Sequence, residues 1–142
     1  MHPNPQLHPL AVLIGEWEMR GSHPMLPGRD LCGRATFEWI ERGAFLLVRT
    51  HMDAPEIPDG VAIFGTDDER PSAGTLIYFD VRNVSREYHW TFVDGVLTYT
   101  RTASAQSQRM RLEITERRIV ATGEMSKNGG AWEPDLELTY TR

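Results

Sequence analysis

Apolar and polar residues alternate along most of this chain, in short runs cut at close intervals by Gly, Pro, Asn and Asp. A period of two marks strands that bury one face. The turn signals divide the pattern into ten strands, at 16–22, 31–40, 44–52, 60–66, 74–82, 86–93, 96–102, 108–115, 118–125 and 131–141. Segments 23–30, 53–59 and 67–73 carry Pro, Gly and Asp and read as longer loops. Only the start differs: Pro9 opens a short helix through Leu10, Ala11, Val12, Leu13 and Ile14, which Gly15 stops. No helical period between strands is long enough for a crossover, so neighbouring strands pair antiparallel. Closing the sheet on itself hides its edges. The expected fold is all-β: an antiparallel up-and-down barrel of about ten strands behind a short N-terminal helix, one domain over residues 1–142.

Residues paired across an antiparallel ladder project to one face, so a turn of known length carries a facing assignment from strand to strand. Asp94-Gly95 is a type I′ signal and pairs Phe92 with Leu97, Trp90 with Tyr99 and Tyr88 with Arg101. That bulkier face is assigned inward. Glu116-Arg117 pairs Ile114 with Ile119, Leu112 with Ala121 and Met110 with Gly123. Asn128-Gly129 pairs Met125 with Trp132 and continues the inner set through Leu136, Leu138 and Tyr140. A three-residue loop at Glu41-Arg42-Gly43 pairs Trp39 with Phe45, Phe37 with Leu47 and Ala35 with Arg49. It sends Phe45, Leu47, Arg49 and His51 inward and leaves Leu46 and Val48 outside. Those two aliphatics, with a strand 74–82 that is apolar on both faces, hint at a homodimer contact.

The chain has 142 residues, 40% of them hydrophobic, which suits a single core. Its formal net charge of -5 argues against a nucleic-acid partner, which needs a basic patch. Cys32 is the only cysteine, so no intrachain disulfide forms, and it reads as a structural thiol. The start lacks the basic region and cleavage site of a secretory leader. No segment approaches the ~20 apolar residues of a membrane helix. A cytoplasmic location with no membrane partner is the expectation.

The inner wall so assigned is aromatic and aliphatic, Trp90 included, with a few polar groups: Arg49, His51, Tyr88, Tyr99 and Arg101. Such a wall has the make-up of a small-molecule pocket. A desolvated arginine needs a partner, and a ligand carboxylate can be one, held bidentately. Arg101 and Tyr88, opposite each other, would clamp an acidic head group while the aromatics cover an apolar body. The alternative places these arginines at the barrel mouths, reaching to water. His51 is the candidate inward histidine; His23 precedes Pro24 in a loop, and His2 and His8 lie near the terminus. No His/Cys/Asp spacing matches a zinc site. Asp67-Asp68-Glu69 lacks the alternation of a calcium loop. There is no phosphate-binding glycine loop and no Ser-His-Asp spacing.

The opening LAVLIGEWEMRG, Leu10 to Gly21, with Gly15-Glu16-Trp17 on the first strand, resembles the start of calycin-type barrels. The following Gly21-Ser22-His23-Pro24 and the stretch Phe37 to Arg49, FEWIERGAFLLVR, resemble bacterial proteins of the fatty-acid-binding-protein-like and nitrobindin-like group. The resemblance implies that Trp17 packs at the closed end of the barrel beneath Arg142 from the last strand, both as structural residues. Haem-binding relatives use a histidine near the C-terminal end. The stretch Trp132 to Arg142 contains none, so no haem or other cofactor is expected.

The first functional reading is a non-enzymatic binding protein for an apolar or amphipathic, acidic small molecule. The second is a barrel enzyme of decarboxylase or isomerase type, with His51, Tyr88, Tyr99 and Arg101 as its interior groups. The third is a packed barrel with an interaction surface around Leu46 and Val48.

Overall fold

The computed structural model describes residues 4–142; residues 1–3, His2 among them, lie outside the described residues. The strands are β1 (Gly15–Ser22), β2 (Leu31–Ile40), β3 (Phe45–Met52), β4 (Gly60–Thr66), β5 (Ala73–Asp80), β6 (Val84–Val93), β7 (Val96–Arg101), β8 (Gln106–Ile114), β9 (Arg118–Lys127) and β10 (Glu133–Thr141). Each pairs antiparallel with its sequence neighbours, and β10 pairs with β1 to close a ten-stranded barrel. No helix among the described residues is long and apolar enough to cross a membrane.

The lead-in is a 3₁₀ turn, His8–Leu13, rather than an α-helix. The side-chain spacing explains the choice. Leu7, Leu10 and Leu13 recur every third residue, and a three-residue turn stacks them on one side. All three are fully buried. They plug one end of the barrel, where the Trp17 indole donates to the Leu13 carbonyl at 2.8 Å.

Two hairpins have the register their turns dictate. Asp94 (φ 51) and Gly95 (φ 77) take the left-handed conformation of a type I′ turn. Phe92 then pairs with Leu97 and Trp90 with Tyr99. Ile114 pairs with Ile119 and Leu112 with Ala121.

The β2–β3 hairpin corrects the sequence reading. Its connection is four residues, not three, with Glu41, Arg42 and Gly43 all at positive φ and Ile40 paired to Phe45. Trp39 therefore faces Leu46, and Phe37 faces Val48. The one-residue change turns β3 over. Leu46 and Val48 are buried inside, whereas Phe45, Arg49 and His51 stand on the outer surface. The outward aliphatic pair that suggested a dimer contact is thus part of the core. The exposed apolar side chains of this region are Phe45, Val61, Ile77, Phe79 and Val81.

The β9–β10 pairing differs as well. Met125 pairs with Glu133 rather than Trp132, and a bulge between Pro134 and Glu137 shifts the ladder again, so Leu138 pairs with Ala121. Pro134 has no N–H to give the ladder, which favours such an irregularity. The first slip moves Trp132 outside, where the Arg109 guanidinium lies 4.0 Å from its ring centroid. The second restores the phase, so Leu138 and Tyr140 are buried.

Candidate functional site

The barrel lumen is graded from end to end. Inward residues next to the plug are apolar: Trp17, Leu46, Phe64, Trp90, Leu97 and Ile119 are each at most 3% exposed. Trp90 is fixed there by an N–H···O bond of 2.9 Å to the Gly65 carbonyl. Gly74, its cross-strand partner, makes room: a Cβ on Gly74 would stand 2.0 Å from that same carbonyl oxygen. Toward the opposite end the inward positions turn polar, with Tyr78 and Asp80 on β5, Arg86 and Tyr88 on β6, Arg101 on β7 and Gln108 on β8.

All four tyrosines of the chain, Tyr78, Tyr88, Tyr99 and Tyr140, belong to the core or pack against it. Tyr88 and Tyr99 meet edge to face, ring centroids 5.4 Å apart. Burial pushes the Tyr99 hydroxyl well above the ordinary phenol value, and the nearby Tyr140, Tyr88 and Tyr78 reinforce the shift. Burial alone raises Tyr140 to about 12. Tyr99 is thus enclosed by protein, yet its side chain keeps accessible surface. Met110 and Leu136, on the same inner face, do too. All three pack against the core from inward positions of β7, β8 and β10.

The polar rim is partly paired within itself. Asp80, whose side chain is fully buried, accepts from the Tyr78 hydroxyl at 2.9 Å and from Arg82 at 2.9 Å. Those bonds, chiefly Arg82's, hold its carboxyl down at about 2. The Gln108 side-chain oxygen accepts twice, from Arg86 at 2.8 Å and from the Tyr88 hydroxyl at 3.0 Å. Arg101 donates to the Gln106 backbone carbonyl at 2.9 Å. Burial raises Tyr88, the Arg86 and Arg101 guanidiniums oppose that rise, and the Asp135 carboxylate adds to it. Among the described residues no carboxylate forms an ion pair with Arg86 or Arg101, although Arg29, Arg49, Arg82, Arg109 and Arg111 each have one. His23 pairs with Asp135 at 3.0 Å.

Of the ligand candidates named from the sequence, Tyr88, Trp90, Tyr99 and Arg101 share the inner face of β6 and β7. Arg49 and His51 do not join them. They line an open groove of about 520 Å³ on the outer face, together with Val61 and Phe79. Its charges are matched locally: Arg49 pairs with Glu38, and His51 bonds Asp59 at 2.7 Å and Asp53 at 3.1 Å. The Asp59 bond is the main reason that His51 is raised above its usual value. A second depression, about 560 Å³, covers the β6–β7 rim and includes Arg86 and Arg101. The lumen is the stronger candidate, because Arg86 and Arg101 converge there with no carboxylate in an ion pair with either among the described residues. Sequence reasoning missed Arg86, Tyr78, Asp80 and Gln108. Arg86 and Gln108 were within reach, each two residues from an inward neighbour, Tyr88 and Met110; β5 offered no phase.

At the plugged end the Arg142 guanidinium lies 3.9 Å from the Trp17 ring centroid. It donates to the backbone carbonyls of Ile14 and Val12, both at 2.7 Å, and of Glu116 at 2.8 Å. These contacts tie the last strand to the lead-in and leave the rim as the way into the lumen.

No family model and no curated protein matches the chain. Solved structures do. The crystal structure of Rv2717c from M. tuberculosis superposes with a TM-score of 0.72 at 15% identity, covering 99% of each chain. The S-type phycobiliprotein lyase CPES from Guillardia theta superposes with a TM-score of 0.60 at 13% identity, covering 95% of this chain and 90% of that one. The fold is calycin-like. At these identities the likeness is one of architecture, and function has to be argued from the lumen itself.

Proposed function

We propose that this protein is a non-enzymatic binding protein that holds an amphipathic, acidic small molecule in its barrel. The acidic group sits at the rim against Arg86 and Arg101, beside Tyr88, and the apolar body lies over Trp90, Tyr99, Met110 and Leu136. The observation that carries this reading is the pair of rim arginines without a carboxylate. Guanidinium in a partly desolvated site needs an anionic partner, and bidentate bonds to a carboxylate satisfy it best. The calycin-like architecture supports an interior site, since small closed barrels hold single small ligands. The enzyme reading loses its base, because His51 lies on the outer surface. Haem is not part of the proposal: His8, His51 and His89 are exposed, and His23 is engaged by Asp135.

The test compares dodecanoate with dodecylamine, which share a chain and differ in head-group charge. Binding is read by isothermal titration and by native mass spectrometry of the gently extracted protein. The acid should bind at least about tenfold tighter, the scale of one charge-assisted hydrogen bond. Arg86→Gln with Arg101→Gln should erase the difference. Equal binding of the two probes, or no binding of either, would overturn the reading.

A further inference from the structure

The lumen is rich in hydrogen-bond donors, and its strong acceptors are already taken. Gln108 accepts from both Arg86 and Tyr88. Asp80 accepts from Tyr78 and from the Arg82 backbone and side chain. The Trp90 N–H is spent on Gly65. Besides the spare N–H groups of the rim arginines, the hydroxyls of Tyr99 and Tyr140 remain, with no hydrogen-bond partner among the described residues. Neither is sealed in the packing, because no buried side-chain oxygen among the described residues lacks a partner. Each hydroxyl therefore keeps accessible surface, and both residues belong to the inward set of the barrel. Both phenols project inward, from β7 and β10, and burial keeps both protonated near neutral pH, so they act as donors. Tyr99 lies two residues below Arg101 on β7, about 7 Å toward the plugged end.

We propose that Tyr99 and Tyr140 form a second polar subsite inside the lumen, and that the ligand carries a hydrogen-bond-accepting oxygen, a ketone or hydroxyl, remote from its acidic group. This rests on the lumen being the binding site. A plain hydrocarbon chain laid across two phenols leaves both without acceptors, a loss that recurs for each hydroxyl. An oxygen at that depth removes it. The rim then selects for charge, and the interior selects for oxygenation. A saturated fatty acid satisfies only the first requirement.

Dodecanoate, its terminal alcohol analogue and a series of keto-dodecanoates differing in the position of the carbonyl provide the test, in wild type and in Tyr99→Phe, Tyr140→Phe and the double variant. Phenylalanine keeps the ring, so packing is preserved, and thermal unfolding confirms it. In wild type the best oxygenated acid should bind roughly tenfold tighter than dodecanoate. The double variant should reverse that order by weakening the oxygenated acid while leaving dodecanoate unchanged or tighter. A purely structural role for the phenols would weaken every acid alike, and that result sinks the subsite. So does a wild type that binds all the acids equally, although the lumen reading then survives. Failure of every acid to bind removes the lumen reading and this inference together.

Discussion

At the closed end one side chain does the work of a clasp. Arg142 reaches three backbone carbonyls and covers the Trp17 ring. Charge-assisted bonds and a cation–π contact are each modest at an exposed site, so Arg142→Ala should cost about 2 kcal/mol. That corresponds to a fall in Tm of roughly 5 °C, measurable by differential scanning calorimetry. Lysine should recover little, since it lacks the planar fork that serves several carbonyls at once. Residues differed in how far the sequence alone could place them. Tyr88, Trp90, Tyr99 and Arg101 could be set on one face because a two-residue turn with Asp94 and Gly95 admits essentially one register. Arg49 and His51 could not, because their facing depended on whether Ala44 belonged to the loop or to the strand.

Among the elements, the hairpins show parity at work. A one-residue error in the β2–β3 connection inverted all of β3, exchanging Leu46 and Val48 with Phe45 and Arg49. In β9–β10, two one-residue slips cancelled, so Leu138 and Tyr140 stayed inside while Trp132 alone moved out. Register slips therefore harm a facing assignment only when their number is odd. Strand contacts also set which glycines can change. Gly74 faces the Gly65 carbonyl at a distance that no Cβ tolerates, whereas a Cβ on Gly65 would meet nothing within 4 Å. Gly74→Ala should destabilise by about 3 kcal/mol and loosen Trp90. Gly65→Ala should be neutral or stabilising by about 0.5 kcal/mol. Urea unfolding followed by tryptophan fluorescence separates the two outcomes.

For the whole molecule, the enclosure of the four tyrosines makes a test of the lumen. Phenols held neutral by burial, Tyr140 at about 12 against 10.0 when free, stabilise the fold below the unfolded value. That stability is lost as pH rises through the folded one, because the unfolded chain gives up its protons first. Tyrosinate absorbance should therefore rise late, above pH about 10, in one cooperative step that coincides with loss of the barrel by circular dichroism. Independent titration of the phenols without unfolding would mean that the lumen is open to water. The sequence by itself determined the number of strands, their antiparallel order and the inner face of β6 to β9, because alternation and tight turns are local and leave little freedom. Only the tertiary structure decided the rest. Loop residues with permissive φ set the phase of β3, and an apolar strand such as β5 takes its facing from its neighbours. The joining of Arg86, Gln108, Tyr99 and Tyr140 into one barrel interior follows from closure of the barrel, a contact between distant segments that no local pattern encodes.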